Sequence, residues 1–124
     1  MSIKPIFSKL EAHPKGWGDE LWVANNEKYC GKILRFKKGS SFSMHYHVKK
    51  EETWVVVKGV LNLEYFDLEK AERLEKKLRE GDTVHLVPCV PHKLTALEDS
   101  TVFEVSTQHF EDDSYRVEKG CSQG

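Results

Sequence analysis

Cysteine is scarce in this chain of 124 residues: Cys30, Cys89 and Cys121 are odd in number and far apart. They do not make a disulfide framework, which fits a reducing compartment, and they lack the paired spacing of a zinc knuckle. An excess of charge of either sign is also missing. Nineteen Lys and Arg against 20 Asp and Glu leave a formal charge of -1, so there is no electrostatic case for a nucleic-acid backbone or an anionic membrane as partner. No apolar run approaches the ~20 residues that a bilayer-spanning helix needs. The first residues, MSIKPIFSKLEAHPKGWGDE, also lack the continuous apolar segment of a secretory signal, and the chain is expected to be soluble and cytoplasmic. Repeats, low-complexity tracts and linkers are absent. The length suits one domain, residues 1–124, which at this size buries roughly two-thirds of the surface its unfolded chain exposes.

What is present is a succession of short β-branched and aromatic runs separated by Gly, Pro and Asn-Asn, the pattern of an all-β sandwich or barrel. Strands are expected at 21–24, 29–37, 41–47, 54–58, 61–66, 83–87, 92–96 and 101–107. Asn25-Asn26 and Lys38-Gly39 read as turns, because Asn and Gly accept positive φ at low cost. Asp67 to Glu80, DLEKAERLEKKLRE, is ambiguous: Leu68, Ala71, Leu74 and Leu78 lie near helical spacing, so a short helix over 67–79 and a long β-hairpin both fit. Residues 1–15 are expected to form an N-terminal arm and 120–124 a flexible tail.

The chemistry concentrates in Gly39 to Gly59, GSSFSMHYHVKKEETWVVVKG, which reads G-x5-H-x-H-x4-E-x6-G. Side chains at i and i+2 of a strand share a face, so His45 and His47 can chelate one ion while Tyr46 points away. Glu52 follows across a turn at the start of an apolar strand. A second segment, Gly81 to Ala96, GDTVHLVPCVPHKLTA, brings His92 to a strand start after a turn at 88–91, from where it could supply a fourth ligand. A lone H-x-H pair is weak evidence; with Glu52, the flanking glycines and His92 the balance turns to ligation.

These two segments resemble the two cupin motifs. The first agrees in every spacing, and the second, G-x5-P-x-G-x2-H-x3-N, has His92 in register but carries Val87, Cys89 and Ala96 where proline, glycine and asparagine are usual. A narrower likeness is to the cupin domain of type II mannose-6-phosphate isomerases and related sugar-processing cupins. It rests on Trp17, Gly18, Met44, His45, His47, Glu52, Trp54, Gly59 and the ending Glu111, Asp112, Asp113, Arg116, and it stops after Glu118. The resemblance implies a jelly-roll barrel of two antiparallel sheets.

Three imidazoles and one carboxylate suit one divalent first-row ion, Fe, Mn, Co, Ni or Zn, in preference to the all-oxygen cage of calcium. The likeness to sugar isomerases further implies isomerisation or epimerisation of a sugar or sugar phosphate through a metal-stabilised enediolate. An Fe(II)-dependent dioxygenase and a non-catalytic metal- or sugar-binding cupin are the alternatives. His85 and Glu104 are the candidate bases, with Tyr46 a poorer one. Trp54, Lys50 and Arg116 are the candidate substrate contacts, Arg116 by bidentate grip of a phosphate or carboxylate, unless it pairs with Asp112 or Asp113. Alternation puts Trp54 and Val56 on the face of Glu52. Val55 and Val57 then lie on the opposite face, where the N-terminal segment or a second subunit could cover them, and a homodimer is expected.

Overall fold

The computed structural model describes residues 3–118 and 120. Eleven strands make up its regular structure: β1 Glu11–Lys15, β2 Gly18–Asn25, β3 Cys30–Phe36, β4 Met44–Tyr46, β5 Glu52–Lys58, β6 Val60–Asp67, β7 Glu72–Arg79, β8 Thr83–Leu86, β9 His92–Ala96, β10 Ser100–Ser106 and β11 Tyr115–Glu118. They form a six-stranded sheet, ordered β1-β2-β3-β10-β5-β8, and a five-stranded sheet, ordered β11-β4-β9-β6-β7, with every pairing antiparallel. This is the all-β jelly roll that the sequence led us to expect. The described residues contain no helix, and hence none long and apolar enough to cross a membrane.

Alternation along the strands explains the layering. In β5, Glu52, Trp54 and Val56 are buried while Val57 on the other face is exposed, and in β10 Ser100, Val102 and Glu104 are buried. The inward residues of both sheets meet in one core that includes Leu34, Phe36, Trp54, Val56, Leu61, Leu63, Leu94 and Val102. Each aliphatic side chain so enclosed stabilises the fold by about 1.5–3 kcal/mol.

The ambiguous stretch at 67–80 is a hairpin arm. β7 pairs with β6 along its whole length, from Val60↔Arg79 to Asp67↔Glu72, and the helix over 67–79 does not form. The spacing misleads because Leu74 and Leu78, four apart, share a face in a strand as well as on a helix; Leu78 is buried opposite Leu61. Arg73, Glu75 and Lys77 turn to the other face, where Arg73 bridges Glu64 and Glu118. Asp67 shapes the turn, its Oδ1 accepting the N–H groups of Glu69 and Lys70.

The N-terminal region is only in part an arm, since Glu11–Lys15 pair with β2 as an edge strand. Ile3, Ile6 and Phe7 ahead of it are exposed. β11, which the sequence reading left without a strand, pairs with β4 and closes that edge of the smaller sheet. Of the expected tail at 120–124, only Gly120 falls within the described residues; Cys121 lies outside them. Gly59 shows why the first motif ends in glycine. Its φ is +96°, and a Cβ there would lie 2.2 Å from Ser100 Oγ and 2.6 Å from the Asp99 carbonyl oxygen.

Candidate metal centre

His45 lies in β4, His47 just beyond its end, and His92 opens β9 directly opposite His45 in the register of the two strands. One ligand atom of each histidine lies within 4.8 Å of those of the other two. Glu52, first residue of β5, faces them from the other sheet, with Oε2 3.4 Å from His47 Nε2 and 3.9 Å from His92 Nε2. Two parts of the chain far apart in sequence thus converge on one point.

The ring orientations are set by the main chain. His45 Nδ1 donates to the Ser43 carbonyl at 2.6 Å, His47 Nδ1 to the Asp113 carbonyl at 2.7 Å, and His92 Nδ1 to the Val90 carbonyl at 2.9 Å. A neutral imidazole with its proton on Nδ1 presents a lone pair on Nε2, so all three rings hold the tautomer that a cation requires. Burial, then the neighbouring imidazoles, push the acidities the same way: His45 is lowered to about 4 and His92 well below its ordinary value. His47 is lowered by burial and by Lys50. Glu52 is raised, by burial and then by the nearby Glu104, which outweigh the opposing effect of Lys50. Neutral donors facing a buried carboxylate fit a divalent transition ion.

Around this cluster lies a cavity of about 590 Å³ whose other wall is charged. Lys50 and Glu104 pair at 2.6 Å with both side chains almost wholly enclosed, and Ser106 Oγ donates to Glu104 at 2.8 Å. Lys32, 1 % exposed, reaches Glu20 at 3.3 Å and lies over the Trp22 ring at 4.3 Å. Glu104 is lowered to about 2: burial alone would raise it, but Lys50 and Lys32 outweigh burial. The turn between β4 and β5 is pinned by Asp113, whose carboxylate accepts the N–H groups of Val48, Lys49 and Lys50 at 2.9–3.1 Å.

The other residues singled out from sequence separate into two groups. Glu104, Lys50, Trp54 and Arg116 line the cavity. His85 does not: it lies opposite Thr53, on the outer side of the larger sheet, and its Nε2 pairs with Glu51 Oε2 at 2.5 Å. Strand parity places it there, as in β8 Val84 and Leu86 face inward opposite Trp54 and Glu52. Tyr46 is also outside, stacked on Tyr115 at 5.3 Å. Trp54 is no open platform for a sugar ring, being 2 % exposed with its indole N–H donating to Glu52 Oε1 at 2.6 Å. Lys50 is not a solvated turn lysine but a buried counter-ion. Arg116 lies opposite His45 and makes no ion pair with Asp112 or Asp113 among the described residues.

Glu20, Trp22, Lys32, His109 and Glu111 also line the cavity and had not been singled out as cavity residues. Lys32 left a signal, as it shares strand parity with the apolar Leu34 and Phe36. His109, in the loop after β10, left none. Cys89 replaces the usual glycine yet keeps its geometry: φ is +74° and its N–H donates to the His47 carbonyl at 2.6 Å.

Residues 32–108 match the Cupin domain family, and the chain belongs to it. No curated protein is similar to it in sequence. Among solved structures, the capsular polysaccharide assembling protein CapF from Staphylococcus aureus superposes with a TM-score of 0.77 at 18 % identity, over 90 % of this chain and 32 % of CapF. Oxalate decarboxylase from Bacillus subtilis gives 0.75 at 21 % identity, over 87 % of this chain and 30 % of that one. KdgF from Halomonas sp. gives 0.64 at 23 % identity, over 76 % of this chain and 82 % of that one. The chain spans about a third of the length of CapF and of oxalate decarboxylase. At these identities the likeness is one of fold.

Proposed function

We propose that this cupin is a metal-dependent isomerase or epimerase of a sugar or sugar phosphate, with His45, His47, His92 and Glu52 as the ligands of one divalent transition ion. The observation that carries the reading is the main-chain fixing of three imidazoles with their Nε2 atoms turned towards Glu52, at the wall of a cavity with room for a small polar molecule. An ion held there would act as a Lewis acid towards a carbonyl oxygen. The protein's own part is to hold and orient. Trp54 fixes Glu52, Asp113 fixes His47, and Arg116, which has no acidic partner among the described residues, is available to grip an anionic group at the cavity mouth. Glu104, kept ionised against Lys50, is a weak base and serves better to balance charge.

Oxalate decarboxylase carries Mn(II) centres and CapF assembles capsular polysaccharide, which makes Mn(II) the first ion to load and phosphorylated sugars the first compounds to screen. Mn(II)-loaded protein is expected to interconvert at least one member of a panel of aldose and ketose phosphates, read by NMR of the mixture. An unchanged panel counts against the isomerase. Oxygen uptake by Fe(II)-loaded protein would place the chain among the dioxygenases instead, and a ligand that raises the melting temperature without being consumed would make it a binding module.

We infer further that two copies associate through the outer face of the larger sheet. Val23, Val57 and Val105 are each about half exposed there, and Ile3, Ile6 and Phe7 of the arm are themselves exposed. Sedimentation is expected to give a dimer that Val57→Asp with Val105→Asp converts to a monomer; a monomeric wild type would refute the interface.

A further inference from the structure

His109 holds the one buried side-chain nitrogen or oxygen with no hydrogen-bond partner among the described residues, its Nδ1. The residue is nonetheless firmly placed. Asn25 clamps its backbone on both sides, Oδ1 accepting the His109 N–H at 2.8 Å and Nδ2 donating to the His109 carbonyl at 3.1 Å, and the Trp22 ring meets the imidazole at 5.2 Å and 69°. The ring lines the same cavity as the metal cluster. Glu111 Oε1 stands 3.7 Å from Nε2, too far for a direct hydrogen bond.

The charged groups that bear on the ring are Lys32 on β3, Lys50 before β5, Glu20 on β2, Glu104 on β10 and Glu111 on its own loop. Burial and then the two lysines lower His109 to about 4, so the imidazole is neutral at pH 7 and carries one proton. On Nδ1 that proton would be an enclosed donor with no acceptor. On Nε2 it lies on the side of Glu111, itself a cavity residue, and only an acceptor is left unpaired. The enclosure therefore selects the Nε2–H tautomer, the opposite of the tautomer held by the three metal-site histidines.

We propose that His109 is a ligand-contacting residue whose Nε2–H donates a hydrogen bond to a carbonyl or hydroxyl oxygen of the molecule bound beside the histidine cluster. This rests on the metal-site reading above. A donor that keeps its own proton suits an oxygen that gains negative charge during isomerisation, because it stabilises that charge without being consumed.

The tautomer is tested first, on metal-free protein with ¹⁵N-labelled histidine at pH 7, His109 being assigned by the loss of its signals in His109→Gln. Long-range ¹H–¹⁵N correlation is expected to show the Nε2-protonated pattern; the Nδ1-protonated pattern overturns the proposal. Binding of acetohydroxamate, a small oxygen chelator, to Zn(II)-loaded protein is the second readout. His109→Phe is expected to weaken it about tenfold with zinc affinity unchanged, while His109→Gln, which retains an N–H donor, stays within about threefold. Equal affinity in His109→Phe overturns the proposal. Failure of the wild type to take up zinc overturns the metal centre instead, and the tautomer experiment keeps the two failures apart.

Discussion

The two sheets line one cavity with side chains that are held in different ways. On the five-stranded sheet, His45 and His92 are each fixed by the carbonyl two residues earlier, Ser43 and Val90, so their orientation is a property of the local backbone. On the six-stranded sheet, Lys32 answers to Glu20 and Glu104 answers to Lys50, partners that belong to other parts of the chain. The first wall is rigid because the main chain makes it so. The second is ordered only because opposite charges, deprived of water, have no cheaper arrangement. Removing one member of the charged wall should therefore disturb stability, and removing one member of the imidazole wall should disturb binding.

The largest effect is expected at Lys50. Replacing it by Met leaves Glu104 and Glu52 buried without their cation and should destabilise the protein by about 3–5 kcal/mol in urea unfolding. Adding Glu104→Leu to that variant should recover much of the loss. If Lys50→Met unfolds at the wild-type urea concentration, the charged wall is not held as described.

Acid should act next, in the metal-free protein. His45 has a folded pKa of about 4, below the 6.5 of the free side chain. Between those values the unfolded chain binds more protons, so stability is full above pH ~6.5 and falls as the pH drops towards 4. At pH 5 this one residue accounts for a loss of roughly 2 kcal/mol, with His47, His92 and His109 adding in the same direction. Glu52, whose folded pKa is raised, opposes them, since its contribution is present below its unfolded pKa of about 4.5 and lost as the pH rises. Four groups against one leave a net loss in acid. Denaturant unfolding at pH 7 and pH 5 measures it, and a stability unchanged or higher at pH 5 would contradict the buried neutral rings. A bound ion should be released only as the pH approaches the lowered folded values, about 4 for His45, where protons begin to compete for the imidazoles.

His92→Ala tests the imidazole wall directly. Mn(II) or Zn(II) affinity, by calorimetry, should fall at least about a hundredfold while the far-ultraviolet spectrum stays that of a β protein. Undiminished affinity would mean that His92 is not a ligand. The smallest effect is expected at the turn before β9, where the Cys89 N–H donates to the His47 carbonyl. Cys89 holds φ at +74°, a region that costs a residue with a Cβ about 1–2 kcal/mol, so Cys89→Gly should raise stability by up to about 1 kcal/mol after the extra chain entropy of glycine is set against it. A destabilised Cys89→Gly would show that the thiol contributes contacts of its own.

The strands of the core were legible because burial imposes a period of two, and each expected run overlaps an observed strand. The hairpin at 67–80 was not, since leucines four apart satisfy both periods and only pairing with β6 decides between them. β1 and β11 are almost wholly exposed or half-buried edge strands, so no apolar alternation announces them. In the candidate site, the H-x-H spacing revealed His45 and His47 because the pleat itself puts them together. Of the candidate bases, His85 shows the limit of residue type as a guide: one step of parity separates it from the cavity, and Leu86 holds the inward position.

The sequence by itself determined the all-β alternation and the histidine pair, and it supplied Glu52 and His92 at the starts of strands, because these follow from geometry within a few residues. The tertiary structure alone decided that Lys32 and Lys50 are buried counter-ions, that Trp54 serves Glu52, and that His109 belongs to the cavity. The physical reason is that a buried charge or an enclosed ring nitrogen is defined by what surrounds it, and those surroundings come from segments the linear chain keeps apart: Glu104 reaches Lys50 across the β10–β5 pairing, and Asn25 holds His109 across 84 positions of sequence.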